Sequence, residues 1–293
     1  MRRRATLALC ALLGACGDDG STGASDAGAS RPLAACDSPG RTRSAVLASF
    51  VFTRADATRG NVVDGFDLDG RVSTASDLQG CRQGDFTSPD GVPGIDNQIA
   101  RLLPVVDSMT GGAFDGLIQG AVNNGQLLVA VTLDRVDDLR DDACVTVSFQ
   151  RVAGMPFVGS DMRIDPGQTF DLMRDQPVSR VEGRIRGGVL EAGPFALALP
   201  VTALDARFTL NLHGARLRAR VRDDGALAGI VAGGVSVAEF SETIRGLTIR
   251  PEEMAAFTGA LRLFADLQPD MAGMCTQISM GMNFDARPAF VNP

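Results

Sequence analysis

Between residues 168 and 231 the chain alternates apolar and polar side chains, and Gly or Asp interrupts the alternation at short intervals. Successive side chains of a strand point to opposite faces, so this period of two indicates short antiparallel strands with one buried and one solvated face. The expected strands are 168–173, 178–186, 188–191, 195–200, 206–213, 216–221 and 227–231. We therefore expect a mainly β fold, an antiparallel sheet arranged as a sandwich or a meander.

The rest of the chain adds a few short helices, so the fold is α+β in part. Apolar residues at positions i, i+3, i+4 and i+7 predict a helix over 113–124. A short helix is expected to run to Leu103 and to stop at Pro104, because proline lacks the amide donor. Helices at 235–246 and 251–268, and strands at 44–52, 126–133, 144–151 and 274–284, complete the prediction.

The first sixteen residues indicate an export signal. Three arginines precede an apolar run over residues 5–13, which is too short to span a bilayer, and small residues follow it. The order Leu13-Gly14-Ala15-Cys16 resembles the lipobox of bacterial lipoproteins, which implies that Cys16 is lipidated and becomes the first residue of the mature chain. Gly17 rather than Asp follows the cysteine, which by the same resemblance favours the outer membrane, on its periplasmic or surface face.

This signal predicts three regions. Residues 1–15 form the signal peptide, and residues 16–35, rich in Gly, Ser, Ala and Asp, form a flexible tether. Residues 36–293 form one β-rich globular domain, with an internal division near 155–165 as an alternative. After removal of the signal, 25 basic residues face 35 acidic ones, a net charge near −10 that argues against a nucleic-acid partner.

Four cysteines remain in the predicted domain: Cys36, Cys81, Cys144 and Cys275. An even number in an exported protein predicts two disulfides, for which three pairings exist. The pairing that we favour is Cys36–Cys81 with Cys144–Cys275. The chain has no C-x-x-C spacing, which makes a zinc or redox site a poor alternative.

Residues 62–98 are dense in aspartate and glycine, and they contain the strongest candidate site. Calcium takes six to eight oxygen ligands from flexible loops of this composition, and extracellular modules bind it at millimolar affinity. The candidate ligands are Asp64, Asp67, Asp69, Asp90 and Asp96. The alternative is that these aspartates only make Asx-turns and helix caps.

Two segments in this region, Asp67-Leu68-Asp69-Gly70 and residues 89–97, are similar to the calcium loops of thrombospondin type 3 repeats and EF-hands. The similarity is partial. An EF-hand loop that starts at position 65 has Gly65 in place of the first aspartate and Ser76 in place of the bidentate glutamate.

Two further groups of charges stand out. The first is a second acidic group in a predicted hairpin loop, interleaved with arginines that can pair with it: Asp134, Asp137, Asp138, Asp141 and Asp142. The second is a pair of arginine rows at alternate positions of two strands, which places each row on one face of the sheet. Arg184, Arg186, Arg218 and Arg220 are the candidate anion-binding residues, suited to phosphate or carboxylate groups. The alternative is an ordinary solvated sheet face.

The sequence contains few residues and none of the common motifs that would indicate a catalytic site. His213 is the only histidine, it stands at a predicted strand end, and no G-x-S-x-G, H-E-x-x-H or P-loop motif occurs. Together, the lipobox, the tether, the Asp-rich block and the closing Cys275-Thr276-Gln277 segment resemble uncharacterised lipoproteins of myxobacterial-type Gram-negative bacteria. We expect a non-enzymatic binding or structural module of the cell envelope, stabilised by calcium, with an envelope glycan or another surface protein as its partner. The alternative is an envelope hydrolase that uses aspartates.

Overall fold

Strands dominate residues 40–203, 206–245 and 250–293, which a computed structural model describes. Of these residues, 47% lie in strands and 17% in helices, which confirms the predicted mainly β class. The strands are β1 (Arg41–Phe52), β2 (Phe86–Thr87), β3 (Pro93–Ile95), β4 (Val129–Val136), β5 (Asp142–Ala153), β6 (Gln168–Leu172), β7 (Val178–Arg186), β8 (Val189–Ala203), β9 (Ala206–Val221), β10 (Leu227–Ser236), β11 (Leu267–Pro269) and β12 (Cys275–Asn292). The helices are α1 (Ile99–Met109), α2 (Phe114–Asn123), α3 (Val237–Arg245) and α4 (Pro251–Leu263).

Eight of these strands close into an antiparallel barrel in the order β1-β4-β5-β7-β8-β9-β10-β12, with β12 returning to β1. Closure depends on β12, where Phe284 is paired with Phe50 on one side and with Gly229 on the other. The sandwich or meander expected from the sequence was therefore wrong about the closure. Strands β5 and β7, which lie on either side of residues 155–165, are neighbours in this barrel.

The hydrophobic core fills the inside of the barrel. On β9, for example, Leu210, Leu212 and Leu217 are at most 5% exposed and face inward, whereas Arg218 and Arg220 face outward. The period-two pattern of the sequence therefore separates the inner from the outer surface of the barrel. Helix α2 packs against β1, where Gln119 Nε2 donates to the Ala48 carbonyl.

Two predicted breaks lie inside continuous strands. Gly193 lies within β8 and Gly214 within β9, at φ values of 125° and 59°, and the register shifts near both positions. Glycine reaches such φ values without a clash, so these positions bend or bulge the strand where the sequence suggested a turn. The four segments predicted there therefore form only two strands.

Helix α1 continues past Pro104 to Met109, although the sequence predicted that it would stop there. A proline at this position removes a single backbone hydrogen bond. The buried side chains of Leu102 and Leu103 anchor the helix against the protein, which compensates for that loss. Helix α4 ends at Leu263, earlier than predicted, and the chain then forms β11.

One disulfide joins Cys81 to Cys275, across a Cα–Cα distance of 5.8 Å. The favoured pairing of Cys36 with Cys81 and of Cys144 with Cys275 was therefore wrong. Cys144 is also disulfide-bonded, whereas Cys36 lies outside the described residues, as does Cys16. Spacing along the chain did not reveal the Cys81–Cys275 bond, because it joins residues 194 positions apart.

Candidate metal centre in the acidic loop layer

Residues 53–98, the acidic loop layer, lie on the outer face of β12. Polar contacts with the β12 backbone attach both ends of the layer: Thr53 N donates to the Gly281 carbonyl at 3.0 Å, and Gly281 N donates to Asn97 Oδ1 at 3.1 Å. Gln98 N donates to Ser279 Oγ at 2.7 Å. Asn97 is fully buried, so these hydrogen bonds form away from water and hold the layer in one position.

A small hydrophobic cluster stiffens the layer from within. It consists of Val63, Phe86, Ile95 and Ala100, each at most 5% exposed. The Arg101 guanidinium lies 4.3 Å from the centre of the Phe86 ring, a cation–π contact that closes one side of the cluster. These contacts fix the backbone from which the aspartates project.

Asp67, Asp69 and Asp96 converge in this layer. Each contributes a carboxylate oxygen, and the three oxygens lie within 4.8 Å of one another. Ca²⁺–oxygen distances are about 2.3–2.6 Å, so oxygens bound to one calcium ion lie at most about 5 Å apart. The cluster therefore has the dimensions of half of a calcium coordination sphere. Sequence reasoning named all three residues.

Backbone amides orient these three carboxylates. Asp96 Oδ2 accepts from Leu68 N at 2.6 Å, and Asp67 Oδ1 accepts from Gly70 N at 2.6 Å. Asp69 Oδ1 accepts from Arg71 N at 3.0 Å. The predicted Asx-turn role is therefore present as well. Because only one oxygen of each carboxylate takes these bonds, the second oxygen remains without an amide donor in the described part of the chain.

Two further acids, Asp85 and Asp266, lie next to the cluster, and several pKa values in this group are raised. Burial is the main cause that raises the pKa of Asp96 to about 9, with the charge of Asp266 adding to it. Burial likewise raises the pKa of Asp85 to about 6 and that of Asp266 to about 7. The negative charges of Asp69 and Asp67 add to the effect of burial on Asp85.

Asp266 was not among the predicted site residues, because it lies inside a segment that was predicted to be helical. It is 3% exposed, and both of its oxygens accept from Ser279, one from the amide and one from the hydroxyl group. The available signal was its position between Ala265 and Leu267, two buried apolar residues. An aspartate that is buried with its apolar neighbours needs hydrogen-bond partners from the rest of the protein.

The other two predicted calcium ligands lie apart from the cluster. Asp64 Oδ1 accepts from Arg218 on β9 at 2.9 Å, and Arg218 also lies over the Phe66 ring. Asp90 is exposed at the tip of a turn that is closed by a hydrogen bond from Gly91 N to the Ser88 carbonyl. The site that we retain therefore has three of the five predicted ligands.

The aspartates of the second acidic group have partners in local turns or on distant strands. Asp142 accepts from the amides of Asp137 and Cys144, and Asp141 accepts from Gly187 N at 3.1 Å. Asp138 accepts from Arg140 N, and Asp134 accepts from the Thr42 hydroxyl at 2.8 Å. These carboxylates each have separate partners and do not converge.

The four candidate anion-binding arginines divide into two kinds. Arg184 and Arg218 are in ion pairs, with Glu191 and Asp64 respectively, both at 2.9 Å. Arg186 and Arg220 have no hydrogen-bond or ion-pair partner within the described ranges 40–203, 206–245 and 250–293. His213 is partly exposed and lies 3.5 Å from Glu239, in agreement with its expected surface position.

A hydrolase would need a concave pocket that gathers aspartates with raised pKa values. Three depressions of about 280 to 510 Å³ lie on the described surface. Asp85, Asp96 and Asp266 are absent from the residues that line them. The acids with raised pKa values and these depressions are therefore in different places.

Comparison with protein-family models, with curated proteins and with solved structures found no match. Among the described residues, no helix is both long and apolar enough to cross a membrane. The proposals below are therefore based on the residues of this chain alone.

Proposed function

We propose that this chain is a lipid-anchored, non-enzymatic binding or structural module of the bacterial cell envelope, and that calcium stabilises its acidic loop layer. The convergence of Asp67, Asp69 and Asp96 carries the calcium part of this proposal. The lipobox-like segment that ends at Cys16, which lies outside the described residues, supports the anchor.

The chemistry of the cluster favours calcium over other metals. Its side-chain ligands are all carboxylate oxygens, the ligands that hard cations such as Ca²⁺ prefer. Zinc and copper sites are instead typically built with histidine or cysteine. In this proposal, Asp67, Asp69 and Asp96 hold the ion. The ion neutralises negative charge that the half-buried Asp85 and the buried Asp266 otherwise increase.

The test is the melting temperature of the purified protein with and without calcium, after treatment with a chelator. Extracellular sites have dissociation constants of about 0.1–1 mM, so 10 mM calcium adds about 1.4–2.7 kcal/mol to the free energy of unfolding. This increase corresponds to a rise of roughly 3–10 °C in a chain of this size.

Asp67→Asn with Asp69→Asn should remove the calcium-dependent rise, because each substitution takes away a charged ligand. Asp90→Asn is the matched control: it removes an exposed aspartate of the same loop layer that is not part of the cluster, and the rise should persist. An unchanged melting temperature of the unsubstituted protein at 10 mM calcium would contradict the calcium proposal. So would an equal loss of the rise in the Asp90→Asn control.

A further inference from the structure

Two parallel rows of side chains cross the outer face of the barrel on β7, β8 and β9. In the first row, Arg184 is paired with Glu191, and Glu191 is paired with Arg218. In the second row, two residues along each strand, Arg186 is paired with Val189, and Val189 is paired with Arg220. The rows are alike except for the central residue, which is acidic in the first and apolar in the second.

The first row shows that an arginine on this face binds a carboxylate group. Glu191 Oε2 accepts from Arg184 Nη2 at 2.9 Å and from Arg184 Nε at 3.3 Å, so one carboxylate receives two bonds from one guanidinium. Arg218, on the other side of Glu191, is engaged by Asp64 of the acidic loop layer. Both arginines of this row therefore have a carboxylate partner from within the chain.

The second row lacks that carboxylate. Arg186 is exposed and Arg220 is exposed, and neither makes a hydrogen bond or an ion pair within the described residues. Neighbouring strands lie about 4.8 Å apart, so the two arginines start about 10 Å from each other across Val189. Their long side chains can reach a common point above Val189, which is only partly buried and has no polar group of its own.

The surface around Arg220 is concave. A depression of about 510 Å³ is lined by Val189, Arg220 and Arg218, and a second of about 410 Å³ is lined by Arg220 and Arg140. The acids that share the two depressions are mostly engaged: Asp64 with Arg218, Asp223 with Arg140, and Asp224 with Arg222.

Asp285 also lines the larger depression, on the far side of Arg220. Ala228 is paired with both residues and so separates them by one strand. The negative charge of Asp285 disfavours binding of an anion on that side of Arg220, and so favours binding on the Val189 side.

We propose that Arg186 and Arg220 form an oxyanion-binding site above Val189, which takes a phosphate or carboxylate group in the position that Glu191 occupies in the neighbouring row. Paired arginines suit such groups because the planar guanidinium donates two parallel hydrogen bonds. The site deepens the binding role under the proposed function by naming a ligand class. It does not depend on the calcium centre.

The test is NMR of the arginine Nε–H groups in calcium-free buffer, with inorganic phosphate and glucuronate titrated separately. We expect saturable shifts of the Arg186 and Arg220 signals, with dissociation constants on the order of 1 mM. Binding of both probes, or of one alone, supports the site and identifies the group that it takes. The absence of a saturable shift with either probe overturns the proposal.

Val189→Glu supplies the missing carboxylate from within the chain. It should lower the affinity for the titrated anion at least tenfold, because the new carboxylate then occupies the site and cancels one of its two positive charges. Arg220→Gln should have a similar effect, whereas Arg180→Gln, on the same face of β7, should leave the affinity unchanged. Affinity retained in a folded Val189→Glu protein overturns the proposal. The melting-temperature response to calcium is measured separately, so failure of either proposal is recognised without the other.

Discussion

Asp266 shows how a single residue can link the loop layer to the stability of the barrel. Its carboxyl group is buried next to β12, and both oxygens are held by Ser279. Burial raises its pKa from 3.8 to about 7, so the folded protein binds a proton there that the unfolded chain releases at lower pH. A raised pKa of an acid stabilises the folded state below its ordinary pKa, and this stabilisation is lost as the pH rises through the folded value.

We therefore expect the free energy of unfolding, in the absence of divalent ions, to decrease between pH 4 and pH 7. The slope from Asp266 alone is on the order of 1.4 kcal/mol per pH unit. Asp266→Asn keeps an acceptor for the Ser279 amide but cannot ionise, so its slope should be shallower. Some slope remains because the pKa of Asp96 is raised too. Denaturant unfolding at pH 5 and pH 7 measures both proteins, and equal slopes would contradict the role of Asp266.

At this scale the sequence revealed part of the site. Asp67, Asp69 and Asp96 were recognisable because they occur with glycines in one short region. Asp266 was not recognisable, because it joins the cluster only through the packing of β11 and β12 against the loop layer. Asp64 lies apart from the cluster and is bonded to Arg218, a partner 154 residues away in sequence that no local pattern indicates.

At the scale of elements, the attachment of the loop layer to β12 depends on the space left by Gly281. A Cβ atom on Gly281 would lie 2.8 Å from Thr53 Oγ1 and 2.9 Å from Asn97 Nδ2, too close for ordinary contact. We expect Gly281→Ala to lower the free energy of unfolding by about 1–3 kcal/mol. Hydrogen exchange should also become faster in residues 53–98, because the contacts that attach them are displaced.

Gly259→Ala is the control for this substitution. Gly259 lies in α4, and nothing stands within 4 Å of its added Cβ atom. Alanine in a helix is favoured over glycine by about 0.5–1 kcal/mol, so this change should stabilise the protein. If Gly281→Ala left stability and exchange unaltered, the loop layer would not depend on this close approach.

The elements themselves were largely predictable, because strand periodicity depends on local sequence. The residues at which the strands and helices begin and end were less predictable. Gly193 and Gly214 predicted turns but lie in bulged strands, and Pro104 predicted a helix end but lies inside α1. In each case the residue permits two conformations, and tertiary packing decided between them. A local sequence pattern contains no information about that packing.

At the scale of the whole molecule, closure of the barrel was beyond the reach of the sequence. Alternation tells which residues face the core but not which strands are neighbours. The pairing of β1 with β12 joins residues such as Phe50 and Phe284, at opposite ends of the chain, and no local pattern marks it. The Cys81–Cys275 bond escaped prediction for the same reason.

The predicted lipid anchor is also a property of the whole molecule. Cys16→Ala removes the thiol that the lipobox resemblance assigns to acylation. In a Gram-negative host we expect this variant to lose incorporation of labelled palmitate and to leave the membrane fraction, whereas Cys10→Ala should retain both. Palmitate incorporation that persists in Cys16→Ala would show that the anchor is elsewhere or absent.

If the proposed lipid anchor concentrates the protein on a membrane surface, the closed barrel has a further consequence. Each of its eight strands has a hydrogen-bonded neighbour on both sides, so the barrel has no open strand edge. An open sheet instead presents an edge of free amide and carbonyl groups, which can recruit a strand from another molecule and begin aggregation. Closure therefore lets many copies crowd together at a surface without joining edge to edge.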